Sequence, residues 1–198
     1  MNKKNITVAL IILLFSTIFM GCTDTSNEKN TPDNSTYDVS LDQVALVADD
    51  LPSSFEKLFE NHTTEPTTSF NQTGNGITWN ILEIYDSAYY GNVSSGVMQS
   101  LIKLDTIDNA QNLIILSRDN LLDFNYTVQS IDSIGDSFIL LNKTIIDQEG
   151  SYNYFTLMFS MRNIVIALGG SAADQSVFLG YAEIIENRIL DAVEDESL

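Results

Sequence analysis

Tyr152–Leu168 reads YNYFTLMFSMRNIVIAL, and after Gly169-Gly170-Ser171 the chain continues over Val177–Leu190 as VFLGYAEIIENRIL. Both arms of the first stretch, Tyr152–Phe159 and Ile164–Leu168, are rich in aromatic and β-branched residues that suit a pleated, buried surface. Ser160-Met161-Arg162-Asn163 supplies a turn between them, with Asn163 expected in the left-handed conformation. A β-hairpin follows. The second stretch changes period: Val177, Phe178, Tyr181, Ala182, Ile184, Ile185 and Ile189 fall on one broad helical stripe. Ser171 and Asp174 stand at capping-box spacing ahead of it. An apolar stripe has to cover something, and the sheet begun by the hairpin is the surface on offer. The pair predicts an antiparallel sheet with helices on one face, an α+β fold.

Working outward, Tyr126–Ile131 and Ser137–Leu141 read as further strands around Ile134-Gly135-Asp136. Asp105–Leu122 has helical period, with Ile107, Ala110, Leu113, Ile114 and Leu121 on one face and Asp105 or Thr106 as N-cap. Ile77–Tyr85 alternates, placing Ile77, Trp79 and Ile81 on one side, and Val97–Leu104 places Met98, Ile102 and Leu104 together. Tyr89-Tyr90-Gly91-Asn92 and Asp49-Asp50-Leu51-Pro52 read as turns. The expected architecture is an antiparallel sheet of about 6–7 strands packed against two helices, about 106–121 and 172–191. Residues 41–198 form one domain on this reading, a size that suits a single core.

Composition limits what the domain can do. Nine Lys+Arg stand against 27 Asp+Glu, a formal net charge of −18, which cannot build the basic surface that nucleic acid requires. One Cys makes no internal disulfide, and one Cys with one His makes no structural zinc site.

The N-terminus reads as an address. Lys3 and Lys4 precede an uncharged apolar run from Ile6 to Met20, shorter than the roughly 20 residues of a spanning helix, and Gly21-Cys22 follows. The stretch resembles the signal and lipobox of prokaryotic lipoproteins, although Phe19 and Met20 stand where Leu and a small residue are more usual. The resemblance implies a signal peptide over 1–21, cleavage before Cys22 and lipidation of its thiol; an uncleaved anchor is the alternative. Losing Lys3 and Lys4 takes the charge from −18 to −20. Residues 22–40 then form a polar tether, TDTSNEKNTPDNSTYDVS after the cysteine, with too few aliphatic residues to order itself. Everything after it is expected outside the cytoplasm, at the outer face of the membrane.

Seven Asn-x-Ser/Thr sequons occur, at Asn5, Asn34, Asn61, Asn71, Asn92, Asn125 and Asn142, roughly twice what this composition gives by chance. Outside the signal they fall in the tether, in expected loops or at element ends, so glycosylation is open to them. A lipobox-like signal combined with N-glycosylation resembles archaeal, methanogen-like surface proteins. Ile134-Gly135-Asp136, followed by Phe159–Ile166 before a terminal helix, is similar to the PsbP/Mog1-like extracytoplasmic domains, which implies a binding or assembly role over about the last 100 residues.

Catalytic constellations are sparse. His62 lies in Asn61-His62-Thr63, expected as a solvated loop, and a general base there would need a partner in space. Gly169-Gly170-Ser171 resembles a phosphate-cradling turn but lacks a following Lys, so a strand exit explains it. Asp49-Asp50 and Asp132 with Asp136 offer oxygens to Ca²⁺ without EF-hand spacing. Tyr85, Tyr89 and Tyr90 beside Trp79 suit either a ligand groove or core packing. The expectation is a non-enzymatic, membrane-anchored surface domain with no catalytic residues, cofactor or metal, binding an envelope protein or small ligand. A glycosylated shielding protein is the alternative, and a hydrolase using paired carboxylates the less favoured one.

Overall fold

The structure is a computed structural model that describes residues 36–70, 78–92, 95–130, 133–147, 150–172 and 175–196. Among the described residues, eight strands form one antiparallel sheet. They are β1 (Glu56–Thr63), β2 (Thr67–Phe70), β3 (Thr78–Asn92), β4 (Ser95–Leu104), β5 (Thr127–Gln129), β6 (Ser137–Asp147), β7 (Gly150–Met161) and β8 (Ile164–Ser171). Their spatial order is β1-β3-β4-β8-β7-β6-β5, with β2 also paired to β3. Among the described residues there are also three helices, α1 (Leu41–Val44), α2 (Ile107–Asp123) and α3 (Ser176–Glu196), with a 3-10 turn at Ala48–Asp50.

The hairpin forms where expected, Met161 pairing with Ile164 across a two-residue loop. The left-handed residue is Arg162, with φ of 53°, and not Asn163. Beside this loop, Gly135 has φ of 60°, and a Cβ there would lie 2.3 Å from the Ser160 carbonyl oxygen, so glycine is required.

The helices do not share a face. Along β8, Ile164, Ile166 and Leu168 pack with Phe178, Tyr181, Ala182, Ile185 and Ile189 of α3, whereas Val165 and Ala167 pack with Ala110, Leu113, Ile114 and Leu121 of α2. Because side chains alternate along a strand, α1 and α3 cover one face and α2 the other. The expectation of helices on one face is therefore corrected, while the antiparallel α+β class stands. The continuous apolar run in β8 has its reason here: a strand covered on both sides needs no polar alternation.

Other differences are local. Thr106 is the N-cap of α2, its hydroxyl accepting from Asn109 N at 3.2 Å. Ser171 cannot cap α3, since it is the last residue of β8 and pairs with Tyr154 and Gly96; α3 begins at Ser176. Tyr89–Asn92 continue β3 rather than turning. Strands β1 and β2 went unforeseen because Glu56–Thr63 is a polar, largely exposed edge with no alternation to read.

Candidate functional site

Strand β4 carries Val97, Gln99, Leu101 and Lys103 on the face under α1 and α3, so an amide and an ammonium are buried among apolar side chains. Burying them is costly unless they are paired. Their partners come from the segment before β1, residues 36–51, which crosses this face with no strand ladder of its own. Gln99 spans Leu46, accepting from its N–H at 2.8 Å and donating to its carbonyl at 2.7 Å. Lys103 donates to the Val39 carbonyl at 3.0 Å. Asn163 accepts from Tyr37 N at 2.7 Å and donates to the Leu104 carbonyl at 2.8 Å. From α3, Arg188 donates to the Ala45 carbonyl at 2.7 Å and forks onto both carboxylate oxygens of Asp50. Side chains thus supply the hydrogen bonds that backbone supplies elsewhere. Val39, which sequence assigned to the tether, is buried in this core.

At the edge of this arm three charged groups and an imidazole meet. Glu83 on β3 is the cross-strand partner of Lys103 on β4. Its Oε2 lies 2.8 Å from Lys103 Nζ, while its Oε1 accepts from Leu41 N at 2.8 Å and lies 2.8 Å from His62 Nε2. Asp42 completes the group, accepting from Ser40 Oγ at 2.5 Å. Glu83 is only 5% exposed. Burial pushes its carboxyl up, but hydrogen bonds from Lys103, the Leu41 amide and His62 outweigh burial and hold it below the ordinary carboxylate value. The His62 ring stands edge-on to Tyr85, whose hydroxyl donates to Glu60. Donor atoms of Asp42, His62 and Glu83 all lie within 4.8 Å of one another, so these residues could hold a cation.

His62 is therefore not a loop residue: it sits on β1 opposite Tyr85, with a buried carboxylate as partner. Sequence reasoning passed over Glu83 and Lys103. The available signal was opposite-sign charge in two consecutive strands, Lys103 being the one basic residue of β4 and Glu83 an acid within the apolar run Ile81–Tyr85 of β3. The register hides the connection, because β3 bulges between Ile81 and Glu83. Before the bulge Trp79 and Ile81 face α2; after it Tyr85 and Tyr89, of the same parity, face α1 and α3. Trp79 consequently lines no common groove with Tyr85 and Tyr89.

The remaining candidates disperse. Asp50 is taken up by Arg188 while Asp49 is exposed, and Asp136 accepts from Arg162 N at 2.6 Å; Asp132 lies outside the described residues. Gly169-Gly170-Ser171 are strand residues, and a Cβ on Gly170 would lie 2.0 Å from the Gly96 carbonyl oxygen. Of the sequons, Asn61 on β1 and Asn125 after α2 are exposed, Asn142 on β6 is half-buried and Asn92 ends β3. Asn5, Cys22, Asn34 and Asn71 lie outside the described residues. On the other face a groove of about 290 Å³ runs between α2 and β6, lined by Ile114, Ile115, Arg118, Phe138 and Ile139 among others. Among the described residues no helix is long and apolar enough to cross a membrane.

No protein-family model matches the chain, and no curated protein matches it. Among solved structures the chain is similar to the extracellular domain of PknH from Mycobacterium tuberculosis. The identity is 14% and the TM-score 0.51, over 77% of this chain and 93% of that one. The likeness is one of fold. Nothing in these comparisons supports the PsbP/Mog1-like resemblance.

Proposed function

We propose that the chain is an exported domain, anchored at the outer face of the cytoplasmic membrane through Cys22, that binds an envelope partner or small ligand without catalysing a reaction. The observation that carries it is the lipobox-like start, Lys3-Lys4, Ile6–Met20 and Gly21-Cys22, set ahead of a domain whose fold is shared with an extracellular domain. The 14 residues Thr23–Thr36 between the thiol and the packed arm would reach about 50 Å if fully extended, enough to hold the domain clear of lipid headgroups. The charge of the domain keeps it hydrated and repelled from anionic lipid. The face under α3 is filled by Phe178, Tyr181, Ile185 and Ile189, which favours binding over the carboxylate-dependent hydrolase, because that chemistry wants buried acids around a pocket.

Fractionation tests the anchor. Wild-type chain should stay with the membranes through a high-salt wash, and Cys22→Ser should be released or retained only through an uncleaved signal, visible as a heavier band. Equal retention at equal mass would remove lipidation from the proposal. The glycan-shield alternative draws on the exposure of Asn61 and Asn125. Its mark is an intact mass above that of the polypeptide that returns to it when both residues are changed to Gln.

A further inference from the structure

We propose that Asp42, His62 and Glu83 form a site for one first-row divalent transition cation, Zn²⁺ foremost, that staples the N-terminal arm to the sheet. The three ligands come from three elements, α1, β1 and β3, and their donor atoms already converge within 4.8 Å. One imidazole and two carboxylates are a donor set suited to Zn²⁺, whereas Ca²⁺ and Mg²⁺ take oxygen ligands in larger number. With metal–ligand distances of about 2.0–2.2 Å, ligand atoms around a tetrahedral ion lie roughly 3.3–3.5 Å apart. The 2.8 Å between His62 Nε2 and Glu83 Oε1 needs to open by roughly 0.5–0.7 Å, and any donor pair near the 4.8 Å limit to close by about 1.5 Å, movements within reach of side-chain torsions.

The surroundings prepare these groups. Lys103 holds the far oxygen of Glu83, Oε2, and is itself drawn to the Val39 carbonyl and to Asp38, 3.3 Å away. It neutralises one of the two ligand carboxylates, so the cluster with a neutral imidazole keeps a net negative charge for the cation. The Leu41 amide fixes the near oxygen, and Tyr85 sets the plane of the imidazole; such supporting contacts tune a metal site. Asp42 is exposed and the His62 side chain 28% exposed, leaving a path for the ion and for a water as fourth ligand. The inference does not depend on the anchoring reading.

Full-length chain carrying Cys22→Ser, purified in detergent and stripped with EDTA, is titrated with Co²⁺ and then Zn²⁺. Saturation at one equivalent is expected at micromolar concentration, with visible Co²⁺ bands that Zn²⁺ abolishes. His62 is the only histidine, so its ring ¹⁵N resonances should report Zn²⁺ at Nε2 without ambiguity. His62→Gln and Asp42→Asn, both at exposed positions and checked for folding by circular dichroism, should each weaken binding by about tenfold or more. No saturation below about 1 mM overturns the proposal, as does binding unchanged in either variant.

Discussion

Asn163 has two properties that point to different places. Its type suits a turn, which is why sequence placed it at the left-handed position, yet Arg162 takes that conformation. Asn163 is buried instead, joining Leu104 on β4 to Tyr37 of the arm. Asn163→Ala should lose about 1–3 kcal/mol in urea unfolding, because an amide and a carbonyl are left unpaired. Arg162→Gly should be neutral or stabilising, since glycine enters that conformation without strain. Glu83 makes the corresponding case for charge. Its native pKa is lowered from 4.5, so its contribution is full above that value and is lost as pH falls through the lower native one. Asp86 acts in the opposite sense, its carboxyl raised by burial, and would mask the effect in wild type alone. The stability gap between wild type and Glu83→Gln should therefore narrow from about pH 6 to about pH 3. A gap independent of pH would mean that the carboxylate charge is not what Lys103 and Leu41 hold.

At the level of elements, each of the two long helices, α2 and α3, was legible from its own stripe, but the face it covers was not. A stripe specifies that a helix needs a sheet, and a sheet has two sides. Leu113→Ala on α2 and Ile185→Ala on α3 should each cost about 2–5 kcal/mol as cavities in separate cores. With the sheet between them the two losses should add within about 0.5 kcal/mol in the double variant. Strong coupling would place the helices in one core. Strand β3 shows the other limit of periodic reading. The bulge at Leu82 reverses which parity faces which core, and no residue type in ILEIY announces it. The extra residue follows from the register with β4, the next strand along the chain, and not from any residue type within β3.

For the whole molecule the arm matters most. Sequence set the domain boundary at Leu41, since Thr36–Ser40 is polar apart from Tyr37 and Val39. In the structure this segment packs on the domain, because Asn163 and Lys103 take the Tyr37 amide and the Val39 carbonyl. A chain beginning at Thr36 should fold like the longer protein. One beginning at Leu41 should be less stable by roughly 2–4 kcal/mol, having lost the burial of Val39 and the partners of two buried side chains. Thermal and urea unfolding of the two would decide it. Equal stability would mean that the segment is bound only loosely.

The sequence by itself determined the strands with strong β composition, the two long helices, the antiparallel α+β class and the expectation of an exported chain. Those follow from local periodicity, composition and an N-terminal signal, each readable within a short window. Tertiary structure decided the rest: which face each helix covers, where β3 changes parity, and that His62, Glu83, Lys103 and Asp42 meet. The physical reason is the same in each case. A buried charge or amide tolerates its position only if a partner reaches it, and the partners here lie some 20 to 143 residues away along the chain. No local window contains both halves of such a pair.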